Sequence, residues 1–226
     1  MKKKEIIIFM PSINGGGVEK NFFLITNYLS TRFDKISVIS LSKEYKKKLK
    51  PNIQFISINN SLMNYLGRRM KFIICLLLLI KKIFLNKKIT VFCFQGLAYC
   101  TIICKIFSTK IVIRSNSSPS GWSQNFLKKM LYRVIYNMAD KIIVNSIDFQ
   151  KELKKKFNLN SQCIYNPLNK KEIIKNSKKK IKIKFFKKND FKIISVARFS
   201  DQKDHFCLIR SINLLKKKYE NIKVLL

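Results

Sequence analysis

The stretch Ser195-Val-Ala-Arg198-Phe-Ser-Asp-Gln-Lys203-Asp-His-Phe-Cys-Leu-Ile209 reads as a buried strand, a tight polar loop with one Arg and one Lys, and the start of an amphipathic helix. Two fixed cations at the mouth of a strand–loop–helix unit suit a diphosphate, and the helix N-terminus adds partial positive charge at the same spot. Around this loop the pattern predicts a strand over 191–196, a helix over 205–219 and a second strand over 222–226, a βαβ unit. The same alternation fills the chain upstream. Strand-like runs fall at 5–10, 36–41, 53–58, 89–94, 110–114, 141–145 and 162–165. Helical spacing lies between them. Val18, Phe22, Ile25 and Leu29 share one face of a first helix, and further helices are expected over 62–85, 97–107, 126–138 and 149–157. Alternating strands and helices imply an α/β protein with a mostly parallel sheet. Several strands are continuous apolar runs, as a sheet covered on both faces requires.

Composition narrows the classes. The 226 residues are 47% hydrophobic, enough for a real core and against disorder. The formal charge is +35, from 47 Lys and Arg against 12 Asp and Glu, and 40 of the cations are Lys. Dedicated nucleic-acid readers lean on Arg, and no zinc spacing, helix-turn-helix or aromatic RNA-binding pattern accompanies the charge. Compositional drift toward Lys, Ile, Asn and Phe explains its even spread. A surface this basic still attracts anionic lipid headgroups. The six cysteines form no C-x-x-C pair and sit mostly in apolar runs, which reads as buried free thiols in a reducing cytoplasm. The N-terminal apolar run is too short for a signal peptide, and the run from Phe72 to Ile80 is too short to span a bilayer.

After the first strand comes Asn14-Gly-Gly-Gly17-Val-Glu19-Lys20. Consecutive glycines let backbone approach a ligand closely, and the following helix points N–H groups at it. A simple tight turn explains the same residues equally well. This is not a P-loop, because no Gly-Lys-Ser/Thr follows.

Four segments in order resemble glycosyltransferase family 4, a group with the GT-B fold that takes sugars from nucleotide-diphosphate donors with retention. They are Gly15-Gly-Gly-Val-Glu19, Ala139-Asp140-Lys-Ile-Ile-Val-Asn-Ser146, Ile164-Tyr-Asn166-Pro167-Leu168 and Val196-Ala-Arg198-Phe-Ser-Asp-Gln-Lys203. The resemblance covers essentially the whole chain. It implies a Rossmann-like parallel-sheet domain over 1–168 on the acceptor side, a Lys-rich connector over 169–190, and the first βαβ unit of an incomplete nucleotide-sugar domain over 191–226. It implies that Arg198 and Lys203 hold the donor diphosphate and stabilise the leaving nucleotide without a metal. It also implies that Gly15, Gly16 and Gly17 lie over the donor phosphates. The donor is then a UDP- or GDP-sugar. The acceptor is a cell-envelope saccharide, free or lipid-linked as in lipopolysaccharide assembly, and the enzyme sits in the cytoplasm or on the inner face of the membrane.

Two departures stand out. Many members carry a His after the strand that here is Ile111-Val-Ile-Arg114; this chain has Arg114-Ser-Asn116. Glu19, Arg114 and Asn116 are candidate acceptor contacts, while helix-dipole complementation by Glu19 and loop capping by Asn116 are the structural alternatives. The family's second-domain E-x7-E segment does not follow Arg198, so the chain alone is expected to be inactive. A non-catalytic saccharide- or membrane-binding domain is the alternative. His205, the only His, reads as a solvent-side residue near a cap, and Trp122 as a hydrophobic staple or a sugar-stacking residue. The basic, leucine-rich helix over 62–85 reads as a core helix with charged ends, or else as a membrane-facing element.

Overall fold

The computed structural model describes residues 5–13, 16–58, 67–116, 125–179 and 185–226. Gly15, Trp122 and the predicted helical start at 62–66 lie outside them. The chain divides into two compact units, one reaching Asn169 and one starting at Lys170.

In the first unit seven parallel strands pair in the order β3-β2-β1-β4-β5-β6-β7. Their ranges are β1 Glu5–Phe9, β2 Lys35–Ile39, β3 Ile53–Ile56, β4 Thr90–Cys93, β5 Lys110–Ser115, β6 Lys141–Val144 and β7 Gln162–Cys163. Ile6 to Phe9 are all buried, which explains the unbroken apolar run. Ile7 and Phe9 enter one core, and Ile6, Ile8 and Met10 the other, as period-two alternation dictates. Strand order reverses between β1 and β4, and ligand crevices form outside the carboxyl ends of strands at such a point.

Helix α1 (Gly17–Leu29) packs Phe22 into the core of Ile6 and Ile8. Helices α2 (Arg68–Leu85), α3 (Leu97–Ile106), α4 (Phe126–Asn137) and α5 (Ile147–Phe157) all pack on the opposite core. Cys75, Leu79 and Ile83 anchor α2 there, Cys100 and Cys104 anchor α3, and Ile135 and Tyr136 anchor α4. Burial lifts the Cys75 and Cys104 thiols to about 12 and holds Cys100 well above the usual thiol range. They are protonated packing groups, not nucleophiles.

Asp140, the acid of the Ala139-Asp140 segment, has a structural task. Its carboxylate accepts from the Ile111 amide at 2.8 Å and from Lys105 Nζ at 2.9 Å, tying α3 to β5 and β6. Burial alone would raise its pKa, but these two donors win and hold it below the usual range. Ser146 caps α5, its Oγ accepting from the amides of Asp148 and Phe149.

The second unit begins with α6 (Lys170–Ser177). It continues as β8 (Phe191–Ile194), a short 3-10 turn (Asp201–Lys203), α7 (His205–Lys216) and β9 (Ile222–Leu225). Strands β8 and β9 are parallel neighbours, as the predicted βαβ unit requires. Lys223 Nζ meets Asp190 at 2.8 Å beside their shared edge.

Candidate functional site

Three groups of residues carry the candidate chemistry, two in the first unit and one in the second. The first lies at the reversal point. The loop after β1 is held on both sides: the Ile13 amide donates to Ser42 Oγ at 3.0 Å, and Gln95, just past β4, clasps Ser12. Gln95 Nε2 donates to the Ser12 carbonyl at 3.0 Å, and Gln95 Oε1 accepts from the Ser12 amide at 3.3 Å. This clasp spans 83 residues of sequence and carries no local pattern, so sequence reading missed it. Gly16 is the N-cap of α1 and Gly17 its first residue. Both are exposed. Glu19 folds back over the helix start, and a Cβ on Gly16 would meet its Oε2 at 2.8 Å. That placement is helix-end complementation, with a carboxylate occupying the spot where an anion would otherwise gather. A phosphate at this N-terminus therefore requires Glu19 to swing away.

The second group lies at the carboxyl ends of β5, β6 and β7. Arg114 is 1% exposed. Its Nη2 donates to the Ile164 carbonyl at 3.1 Å and to Asn166 Oδ1 at 2.9 Å. Burial lowers its pKa, and its Nε has no partner among the described residues. Arg114 thus ties β5 to the Ile164-Tyr-Asn166 segment. Asn116 follows just past the same strand, with a buried Oδ1 that has no partner among the described residues; Asn145, just past β6, leaves its Oδ1 in the same state among them. Strand register places Ser115 opposite Val144, so the two asparagines follow paired positions. Asn145 is an added candidate that the sequence reading did not single out. Buried acceptors without donors are an expensive arrangement that a ligand hydroxyl would relieve.

The third group is the loop between β8 and α7. Arg198 and Lys203 both stand exposed on it. His205 Nε2 lies 2.9 Å from the Arg198 carbonyl oxygen, and a carbonyl only accepts, so Nε2 carries the proton. The His205 ring also packs on Phe199, with centroids 5.0 Å apart. His205 is a brace for the cation-bearing loop, a role its position near a cap did not reveal. Asp204 caps α7, its Oδ1 accepting from the Cys207 amide at 3.0 Å. The helix end predicted to help hold a diphosphate is thus partly taken by a carboxylate.

Comparison with known proteins establishes the fold. No protein-family model matches the chain, and no curated protein sequence matches it significantly. Solved structures do match. HepE from Anabaena, in complex with UDP and glucose, superposes with a TM-score of 0.62 at 17% identity, covering 97% of this chain and 59% of that one. A glycosyltransferase from Rickettsia africae gives 0.61 at 16% identity, covering 100% of this chain and 68% of that one. Phytolacca americana UGT2, complexed with UDP-2-fluoro-glucose and pterostilbene, gives 0.53 at 9% identity, with 98% and 71% coverage. The chain has the α/β architecture of the GT-B glycosyltransferases. It spans about 59% of the length of the HepE chain.

Proposed function

We propose that this chain belongs to a glycosyltransferase that moves a hexosyl group from a UDP- or GDP-sugar to a cell-envelope saccharide or lipid-linked acceptor, with retention, as family 4 enzymes do. The support is the pair of exposed cations, Arg198 and Lys203, on one short braced loop. It comes in a chain whose fold is shared with HepE, solved with UDP and with UDP-glucose.

In the reaction, the bond from the anomeric carbon to the β-phosphate oxygen breaks. The acceptor hydroxyl oxygen bonds to that carbon on the same face, and its proton leaves with the diphosphate. Arg198 and Lys203 neutralise charge growing on the departing phosphate, so no metal is needed. The family resemblance assigns Gly15, Gly16 and Gly17 to the donor phosphates, a role that needs Glu19 to leave the helix start. Glu19, Arg114 and Asn116 serve the acceptor side, Arg114 by holding the Asn166 segment in place and Asn116 by accepting from a hydroxyl. A protein expressed from the natural reading frame, given a panel of labelled nucleotide sugars and envelope saccharides, transfers label from one donor. Free label from no donor, together with saccharide binding, would favour a non-catalytic binding domain instead.

A further inference from the structure

We propose that a cavity at the amino ends of β6 and β7 is a second, non-catalytic binding site for a neutral saccharide. The crevice at the strand reversal and the Arg114–Asn116 group both lie at carboxyl ends of strands, so this cavity opens at the opposite end of the sheet. It needs no part of the sugar-transfer reading.

Two successive helix-to-strand connections build the cavity. Asn137 is the last residue of α4, and Asp140 leads into β6 at Lys141. Leu159, Asn160 and Ser161 join α5 to β7, which Gln162 opens. Together they line a cavity of about 340 Å³, within the roughly 300–1,000 Å³ of small-molecule sites. Ile142 and Leu159 supply buried apolar lining. Both connections are pinned. Gln150 Nε2 donates to the Ser161 carbonyl at 2.6 Å, and Asp140 accepts from the Ile111 amide and from Lys105 Nζ. The site is therefore held in shape before any ligand arrives.

Its polar groups are mostly unspent. Ser161 Oγ is buried and has no partner among the described residues. A buried hydroxyl left in that state is costly, and a ligand hydroxyl would relieve it. The side-chain amides of Asn137 and Gln162 make no hydrogen bond among the described residues either. Asn160 spends only its Oδ1, which accepts from Lys154 Nζ at 3.0 Å.

Charge selects the ligand class. Helices α4 and α5 both end beside the cavity, and the partial negative charge of helix carboxyl ends disfavours an anion. The one carboxylate in the lining, Asp140, is already paired with Lys105 at 2.9 Å, and Lys141 stands in the same lining. A cation gains little there, in a chain of net charge +35. What is left are three amides and a hydroxyl, side chains that both donate and accept. They complement a polyhydroxylated neutral ring, whose hydroxyls do the same. An apolar ligand would leave them unpaired.

The test is a 1H–15N NMR titration of the 226-residue chain with D-glucose, N-acetyl-D-glucosamine and maltotriose at millimolar concentration. Inorganic phosphate and spermidine are the anionic and cationic probes. The variants are Asn137→Ala/Gln162→Ala, both at exposed positions, and Ser161→Ala. Asn116→Ala reports on the strand carboxyl ends instead. Thermal melts confirm that each variant folds. We expect at least one sugar to shift the amide signals of residues 160–162 saturably, and phosphate and spermidine to leave them in place. The double variant should weaken that binding by about fivefold or more, and Asn116→Ala should leave it unchanged. Ser161→Ala should weaken it too, yet melt no lower than wild type, because its hydroxyl serves no bond of the fold. Four results would overturn the proposal. One is that no sugar of the panel moves these signals. The second is that phosphate or spermidine moves them more than any sugar. The third is sugar binding that Asn116→Ala abolishes and the double variant keeps, which places the sugar at the strand carboxyl ends. The fourth is a clear drop in melting temperature for Ser161→Ala, which makes its hydroxyl part of the fold.

Discussion

Replacing Gly96 with alanine tests how tightly the reversal-point crevice is built. Gly96 follows the Gln95 clasp and starts α3 with φ +68°, the left-handed region. An alanine there costs about 1–2 kcal/mol in backbone strain. Its Cβ would also sit 2.2 Å from Phe72 Cζ, so the ring must turn. Phe72 makes edge contacts with Phe9 (6.0 Å, 79°) and Tyr99 (5.5 Å, 69°). Losing part of either costs about 0.5–1.5 kcal/mol. The expected destabilisation is therefore about 2–4 kcal/mol, a fall of roughly 4–16 °C in Tm for a unit of this size. Urea denaturation followed by circular dichroism measures it. Gly67→Ala is the control: its φ is −59° and no atom of the described residues lies within 4 Å of the added carbon, so it should change stability by under about 0.5 kcal/mol. Phe72→Leu should couple favourably with Gly96→Ala, because the smaller side chain leaves room. If Gly96→Ala is as stable as wild type, or if the pair is merely additive, the packing argument fails.

Two further outcomes follow from the core. Asp140→Asn should destabilise the first unit by about 1 kcal/mol at neutral pH, allowing for screening at this partly exposed carboxylate. A depressed folded pKa stabilises above the unfolded value and loses that contribution as pH falls through the folded one, so in acid titrations the gap between wild type and variant should begin to narrow below about pH 4 and close only below the depressed folded pKa; a gap that stays constant through that whole range would remove the carboxylate as its cause. With iodoacetamide at pH 8, mass spectrometry should find Cys207 alkylated first and Cys163 more slowly. Cys75, Cys93, Cys100 and Cys104 should stay unmodified until denaturant is added, since all four are buried. Early labelling of Cys100 would contradict the packing of α3.

Much of this architecture is legible in the sequence because the driving signals are local. Ile6 to Phe9 must be buried on both faces, and such a run reads as an interior strand without any partner in view. Ser146 caps its own helix, so that segment keeps a recognisable shape, although the neighbouring Asp140 reaches Ile111 and Lys105 at 29 and 35 residues' distance. What escaped depends on distance. The Gln95–Ser12 clasp joins residues 83 positions apart. The Arg114–Asn166 contact joins residues 52 apart, and its Arg replaces no charge pair that a pattern would reveal. His205 looked like a surface residue because its partner is a backbone carbonyl. Helix α4 shows the limit of periodicity itself: Leu127, Leu131 and Val134 on one side and Tyr132, Ile135 and Tyr136 on the other are all apolar. Only packing decides which side meets the sheet.

The central claim is that Arg198 and Lys203 form a diphosphate site, and calorimetric titration with UDP and with GDP tests it most directly. Each charge-assisted contact to a phosphate contributes about 1.5–3 kcal/mol, roughly 10- to 150-fold in affinity. The account predicts that the chain binds one of the two nucleotides and that Arg198→Ala weakens binding at least tenfold, with Lys203→Ala close behind. Binding that is indifferent to both substitutions, or no binding of either nucleotide, would contradict it.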